Sequence, residues 1–195
     1  MAGSPAEDPL RVDWIDPVRI ADERPGRLGL TFLPGKHGAS LRYPGRIYRR
    51  DLEQDLATLA GGEVRTLVLL VEDHELARWG DAGIVERART RGITVERWPM
   101  PDGMPPSSLE VMDALLDAID AARAEGDVAV ACMGGVGRTG TVAACALVRA
   151  GIAPEDAIAD VRRVRHPTAV ETDEQRRFVQ AFASHHSASV RGARR

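Results

Sequence analysis

The chain has 195 residues, 44% of them apolar and 28% charged, and 26 basic against 29 acidic side chains leave a net charge of −3. That is the length of one domain with enough apolar surface for its own core, which excludes a largely disordered chain. The slightly acidic balance argues against nucleic-acid binding by bulk positive charge, and no apolar run nears the roughly 18 residues of a membrane span.

Residues 1–11 read as a loose leader, 12–184 as one domain and 185–195 as a frayed polar tail. Val12 to Ile20 and Arg27 to Leu33 are extended candidates, the second closed by Pro34-Gly35. Leucines 52, 56 and 59 predict a helix from Asp51, its cap, to Ala60. Val64 to Val71 reads as a buried strand, Glu75 to Trp79 and Ile84 to Arg91 as helices, and Ile93 to Trp98 as a strand. Four prolines make 99–106 irregular. Ser107 or Ser108 caps a long helix through Ala124, followed by a buried strand, Val128 to Cys132. Three helices complete the chain: Thr139 to Ala150, Glu155 to Arg165 and Asp173 to Ala183. Strands separated by helices predict an α/β fold with a mainly parallel central sheet flanked by helices. Its ligands belong beyond the carboxyl ends of the strands.

The turn after Val128–Cys132 occupies that place. It reads Cys132-Met133-Gly134-Gly135-Val136-Gly137-Arg138-Thr139-Gly140. Three glycines in four positions let successive amides converge, and the helix that follows adds its positive end, so the turn is an anion nest. Arg138 can fork two phosphate oxygens, and Cys132 sits at the start of the loop, where the same positive charge favours its thiolate. A thiolate beneath a phosphate is placed for in-line attack. Gly135 to Gly140 also fits a dinucleotide fingerprint, but that pattern wants a second strand where 151–165 reads as helix. A P-loop nucleotide site is excluded at this turn because it holds no Gly-Lys pair, and a merely structural cysteine leaves the rest of the pattern unexplained. Cys145, in an Ala-rich apolar segment, reads as core. Ester cleavage also needs a proton donor on a closing loop. Asp102 is the only acid in 98–106, with Trp98 as the packing anchor of that loop.

The turn resembles the H-C-x-x-G-x-x-R-[ST]-G signature of the cysteine-dependent protein tyrosine phosphatase superfamily, its dual-specificity branch especially. The resemblance implies Cys132 as nucleophile, Arg138 and residues 133–137 as the phosphate cradle, and Thr139 as the hydroxyl that assists the thiolate as leaving group. It implies Asp102 as general acid and no cofactor or metal. Ala131 stands where the family usually has His. Gly29 to Gly35, Asp51 to Leu56 and Gly140 to Cys145 extend the likeness to kinase-associated phosphatases and their bacterial look-alikes. In Glu171-Thr172-Asp173-Glu174-Gln175, Gln175 matches a glutamine that can position the hydrolytic water, and Glu171 replaces a second glutamine.

The function expected is thus a cysteine-dependent phosphomonoester hydrolase, its partner a phosphorylated protein or peptide, with phosphotyrosine and also phosphoserine or phosphothreonine as candidates. The alternative is a phosphate-recognition module of low turnover; a sulfurtransferase is disfavoured by Arg138-Thr139-Gly140 and Asp102. An uncharged 133–137 speaks against a highly phosphorylated sugar or lipid headgroup. Arg42, Arg46, Arg49 and Arg50 read as a solvated basic face before the helix at 51, or as a surface for an acidic peptide. Arg162, Arg163, Arg165 and His166 read as helix-end cations, and His185 and His186 match no metal spacing. Two cysteines make no disulfide framework, and Met1 to Leu10 hold no hydrophobic stretch, so a cytoplasmic protein is expected. Lys36 is the only lysine, which reads as a bacterial, GC-rich coding bias.

Overall fold

The computed structural model describes residues 9–20, 25–40 and 44–193. In chain order the elements are β1 (Asp13–Trp14), α1 (Pro17–Ile20), β2 (Leu28–Phe32), β3 (His37–Ala39), β4 (Ile47–Arg49), α2 (Leu52–Gly61), β5 (Val64–Leu69), α3 (Asp73–Trp79), α4 (Ile84–Thr90), β6 (Thr94–Arg97), α5 (Leu109–Glu125), β7 (Asp127–Cys132), α6 (Gly137–Arg149), α7 (Pro154–Val164) and α8 (Asp173–Ala193). Five strands form the central sheet in the order β1-β2-β7-β5-β6. The pairs β2–β7, β7–β5 and β5–β6 are parallel, and only the edge strand β1 is antiparallel. The expected α/β layer with a mainly parallel sheet is therefore the observed one.

Strand alternation divides the core. Val128, Val130 and Cys132 of β7 face a cluster with Leu115, Ile119, Cys145 and Phe182, from the α5, α6 and α8 side. Ala129 and Ala131 face the other way, onto Leu56, Leu59, Leu76 and Ile84 from α2, α3 and α4. Leu10 packs into the second cluster, two residues ahead of the expected domain start. Local capping follows the sequence closely. Asp51 accepts from the Gln54 amide and Ser108 from the Val111 amide, bonds of the kind that stabilise a helix by about 1 kcal/mol.

Two expectations need correction, and one element is new. Val12 to Ile20 is not one extended segment: the Asp16 carboxylate accepts from the Val18 amide and turns the chain into α1 after a two-residue strand. Residues 36–50, which the sequence reading leaves unassigned, carry the β3–β4 hairpin, which has no hydrophobic alternation to announce it. The last helix does not end at Ala183 but continues to Ala193. Its polar side chains support it: Ser184 and Ser187 hydroxyls donate to carbonyls four residues back, and His185 Nε2 lies 2.8 Å from Asp113 Oδ2 of α5. Residues 1–8 of the expected leader, and Arg42, lie outside the described residues.

Candidate active site

The four parallel strands end on one side of the sheet, and each is followed by a segment that brings a charged group there. After β7 the chain makes the glycine-rich turn. The Gly135 amide donates to Cys132 Sγ at 3.2 Å. Gly135 has a φ of +65°, and a Cβ there would lie 2.3 Å from the Thr31 carbonyl oxygen. A Cβ on Gly137 would lie 2.3 Å from Glu171 Oε2. Gly135 is thus required, by its backbone angle and by the Thr31 backbone of β2, whereas a Cβ on Gly137 would meet only the ends of the Glu171 and Gln175 side chains. Gly135→Ala should lower kcat/KM at least about 100-fold, the scale of an ångström's misplacement, with the melting transition still cooperative. Unchanged kinetics would show that the turn tolerates a wider path. Arg165 braces the turn from behind, donating from Nε to the Gly135 carbonyl at 2.8 Å and pairing through Nη1 with Asp13 Oδ2 at 2.6 Å.

Burial pushes the Cys132 thiol up, but the Arg138 guanidinium, the Thr139 hydroxyl and the amides of Thr139 and Val136 outweigh it, so its pKa lies below the usual thiol value. The Thr139 hydroxyl is fully buried and makes no well-formed hydrogen bond, yet it is close enough to favour the thiolate. Cys145 has burial without this compensation, and its pKa is raised.

Arg138 is fully buried and held mainly by Glu75, a residue of α3 that follows β5. Nη1 donates to Glu75 Oε2 at 2.6 Å and Nη2 to Oε1 at 2.8 Å, and Nη1 also donates to the Met100 carbonyl at 2.9 Å. Glu75 Oε2 in addition accepts from the Glu72 amide at 2.9 Å, in the reciprocal cap that opens α3. Burial works against the charged guanidinium, and Glu75, Cys132 and Asp102 more than offset it. Arg138 Nε is buried and, among the described residues, without a partner, a donor that an oxyanion would satisfy.

Asp102 lies on the irregular segment after β6, its side chain 71% exposed and its Oδ1 3.0 Å from Arg138 Nη2. This segment is fastened at its tip. Thr172 Oγ1 donates to the Gly103 carbonyl at 2.8 Å and accepts from the Gln175 amide, while Gln175 Oε1 accepts from the amides of Glu171 and Thr172. Thr172 and Gln175 are therefore the capping box of α8. Val170, at a left-handed φ of 59°, directs the chain into it. Gln175 is buried beside Gly137, its amide also reaching the Met104 carbonyl at 3.5 Å. Trp98 packs, partly buried, against the core beneath this loop.

Lys36, in the turn after β2, is the residue that composition alone had set aside. Its side chain is nearly buried, donates to the Met133 carbonyl at 3.1 Å and lies 4.0 Å above the Tyr48 ring. Burial lowers its pKa to about 8, with the Cys132 sulfur and Asp102 opposing the shift and Arg46 adding to it. Lys36, Tyr48, Trp79, Asp102, Met133 and Glu171 line a cavity of about 410 Å³ at the turn, together with Gly134 and Val136. Sequence reasoning missed Lys36, Glu75 and Tyr48, though Lys36 and Glu75 both follow the carboxyl ends of strands, where ligands of such sheets bind.

Comparison with known proteins decides the family. Residues 42–152 match the model of the "Polymorphic toxin system, DSP-PTPase phosphatase" family, more than half of the chain. The protein belongs to the dual-specificity and protein tyrosine phosphatases. Tk-PTP, solved in its active form, is 30% identical, with a TM-score of 0.68 over 89% of this chain and 96% of its own. The rat cyclin-dependent kinase inhibitor 3 is 27% identical over 186 residues, spanning 91% of this chain and 82% of that protein. A kinase-associated phosphatase, crystallised with its catalytic-site cysteine replaced by serine, shares the fold with a TM-score of 0.81, 23% identity and coverage of 93% and 98% of the two chains. Among the described residues of this phosphatase, no helix is long and apolar enough to cross a membrane.

Proposed function

We propose that this phosphatase hydrolyses phosphomonoesters of proteins or peptides through a phosphocysteine intermediate. The observation that carries the reading is the buried Cys132 sulfur under converging amides, beside a buried Arg138 whose Nε has no partner among the described residues. The phosphoryl group enters the nest, its oxygens taking donors from the loop amides of 133–137 and from Arg138 Nε, and displaces Asp102 from Nη2. The thiolate attacks phosphorus as the ester P–O bond breaks, and the protonated Asp102 carboxyl gives its proton to the departing oxygen. The oxygens of the transition state are held by donors already in place. In the second step Asp102, now carboxylate, takes a proton from water as that water attacks phosphorus. The P–S bond breaks, inorganic phosphate leaves, and the thiolate is restored with help from the Thr139 hydroxyl. Gln175, fixed beside Gly137, helps place that water. Tyr48, Trp79 and Met133 give the cavity an apolar wall suited to an aryl ester, so phosphotyrosine fits and the shorter alkyl esters are also admitted.

Rapid acid quench during turnover of p-nitrophenyl phosphate tests the reading: covalent phosphate should be recovered on the peptide containing Cys132. Steady turnover with no phosphoenzyme at any time point would overturn it. Asp102→Ala tests the acid. Alkyl phosphates, with poor leaving groups, should lose about 10² to 10⁴ in kcat, whereas p-nitrophenyl phosphate should lose far less. Equal losses on both would remove Asp102 from that role.

A further inference from the structure

A turn whose amides converge on an anion sends its carbonyls outward, and those carbonyls need donors of their own. In this turn every carbonyl from 133 to 136 has one. The Val136 carbonyl accepts from the amides of Gly140 and Val170, at 3.1 and 3.4 Å. The Gly135 carbonyl accepts from Arg165 Nε at 2.8 Å, and the Gly134 carbonyl from Arg165 Nη2 at 3.4 Å. The Met133 carbonyl accepts from Lys36 Nζ at 3.1 Å. These contacts do not carry equal weight. Gly135 is also locked by the Thr31 backbone, whereas a Cβ on Gly134 would meet nothing nearer than Val136 Cγ2 at 3.9 Å. A glycine in open space leaves the Met133–Gly134 peptide free to rotate, so the bond from Lys36 is what sets its direction. Across a trans peptide the C=O and the next N–H point opposite ways. A Met133 carbonyl held outward therefore turns the Gly134 amide inward.

Lys36 stands on a fixed base. The Gly35 amide donates to Asp55 Oδ2 at 2.8 Å, and the Lys36 carbonyl accepts from the Arg50 amide at 3.0 Å. Its side chain is 8% exposed and lies 4.0 Å above the Tyr48 ring, with Arg46 5.0 Å over the same ring. The charges that act on it are the Cys132 sulfur and Asp102, which favour the ammonium, and Arg46, which opposes it. Ala131, the residue before the cysteine, packs into the opposite apolar cluster and brings no side-chain donor to the turn.

From this geometry we infer that Lys36 is a positioning residue for the reaction: it fixes the Met133–Gly134 peptide so that the Gly134 amide meets a phosphoryl oxygen, and it supplies, besides Arg138, a second cation whose charge reaches the Cys132 sulfur. The inference rests on the reading that the nest holds the scissile phosphate above that sulfur. Lys36 acts through the turn and the thiolate, whereas Arg138 and the amides bind the phosphoryl group itself.

Lys36→Met keeps the apolar stem and removes donor and charge together. It is read by kcat/KM for p-nitrophenyl phosphate and by the pH midpoint of Cys132 alkylation with iodoacetamide. An oxyanion donor is worth about 10² to 10³ in kcat, and a donor freed to turn away should cost kcat/KM at least about tenfold. The midpoint should rise, because a cation that favours the thiolate is gone. Lys36→Arg returns donor and charge, so kcat/KM should come within about threefold of the wild type and the midpoint should fall back. Either readout left at its wild-type value in Lys36→Met, whatever happens to the melting temperature, overturns the inference. A midpoint as high in Lys36→Arg as in Lys36→Met does so too. If Lys36→Met does not fold, Lys36→Gln replaces it: its amide keeps a polar group in the buried place without charge, the midpoint should again rise, and an unmoved midpoint overturns the inference. Alkylation needs no turnover. A wild type that fails to hydrolyse p-nitrophenyl phosphate would thus defeat the phosphocysteine reading alone, and the midpoints would still decide the role of Lys36.

Discussion

Cys132→Ser should abolish turnover, with kcat falling by at least about 10⁴, as expected when the nucleophile of a two-step mechanism is removed. The alcohol of serine is not ionised by the field that lowers the thiol, and its oxygen does not reproduce the sulfur's position under the Gly135 amide. Oxyanion binding should survive, because the donors are backbone amides and Arg138, none of which the substitution touches. Tungstate protection of the variant against thermal unfolding measures this directly. Activity near that of the wild type would defeat the nucleophile assignment, and loss of tungstate binding would show that the sulfur itself holds the nest together. In the wild type, iodoacetamide at neutral pH should modify Cys132 first, since Cys145 is buried with a raised pKa. Equal labelling of the two would remove the electrostatic part of the account.

Glu75→Ala should have the second largest effect, and on two readouts together. Arg138 is fully buried, so removing its main carboxylate partner leaves a guanidinium in the core with only the exposed Asp102 and the Cys132 sulfur against its charge. Breaking a buried pair in this way costs about 3–5 kcal/mol, a large part of a typical domain's stability. Arg138 would also lose the two-point grip that sets its plane, so kcat should fall while the enzyme remains folded at low temperature. A denaturation midpoint unchanged by the substitution would refute the role in stability, and unchanged kcat the role in positioning. The pair also carries an acid dependence. Burial raises the Glu75 pKa, but the bonds from Arg138 and the Glu72 amide outweigh it, so the folded value lies below the ordinary one. Its contribution to stability is therefore whole above the unfolded carboxyl's pKa of about 4.3, and is lost as pH falls through the lower folded value. Glu75→Gln should flatten the acid limb of the stability curve, which urea titrations from pH 6 downward would display.

The sheet and the nest were legible in the sequence because their signals are local. Apolar runs bounded by charges marked β5 and β7, and the spacing of Cys132, the glycines and Arg138 carries its chemistry within nine consecutive residues. Asp102 was legible because it is the lone acid between prolines. Glu75 and Lys36 were not legible as site residues, since the partners that give them meaning are 63 and 97 positions away. Glu75 looked like an ordinary first-turn acid, and Lys36 a quirk of coding bias. Thr172 and Gln175 carried a capping signal, but nothing in the chain says that the same hydroxyl also fastens Gly103. The hairpin escaped because its strands face solvent more than core, and β pairing without a hydrophobic face leaves no period to read. The basic run before α2 proved to be three things: Arg50 clamps Asp55, Arg46 lies over the Tyr48 ring, and Arg49 is exposed.

Cys132 ends one parallel strand and Lys36, Glu75 and Asp102 each follow another, so the sheet acts as the ruler that spaces them. One residue along a strand is about 3.3 Å, more than the length of any bond in the constellation. A displacement of β2 or β5 against β7 by a fraction of that step would part the charges while leaving the layers closed and the apolar faces covered. Catalytic rate is accordingly a finer gauge of strand alignment in this molecule than its melting temperature, and impaired variants with mutations deep between the strands are to be sought among those that still fold.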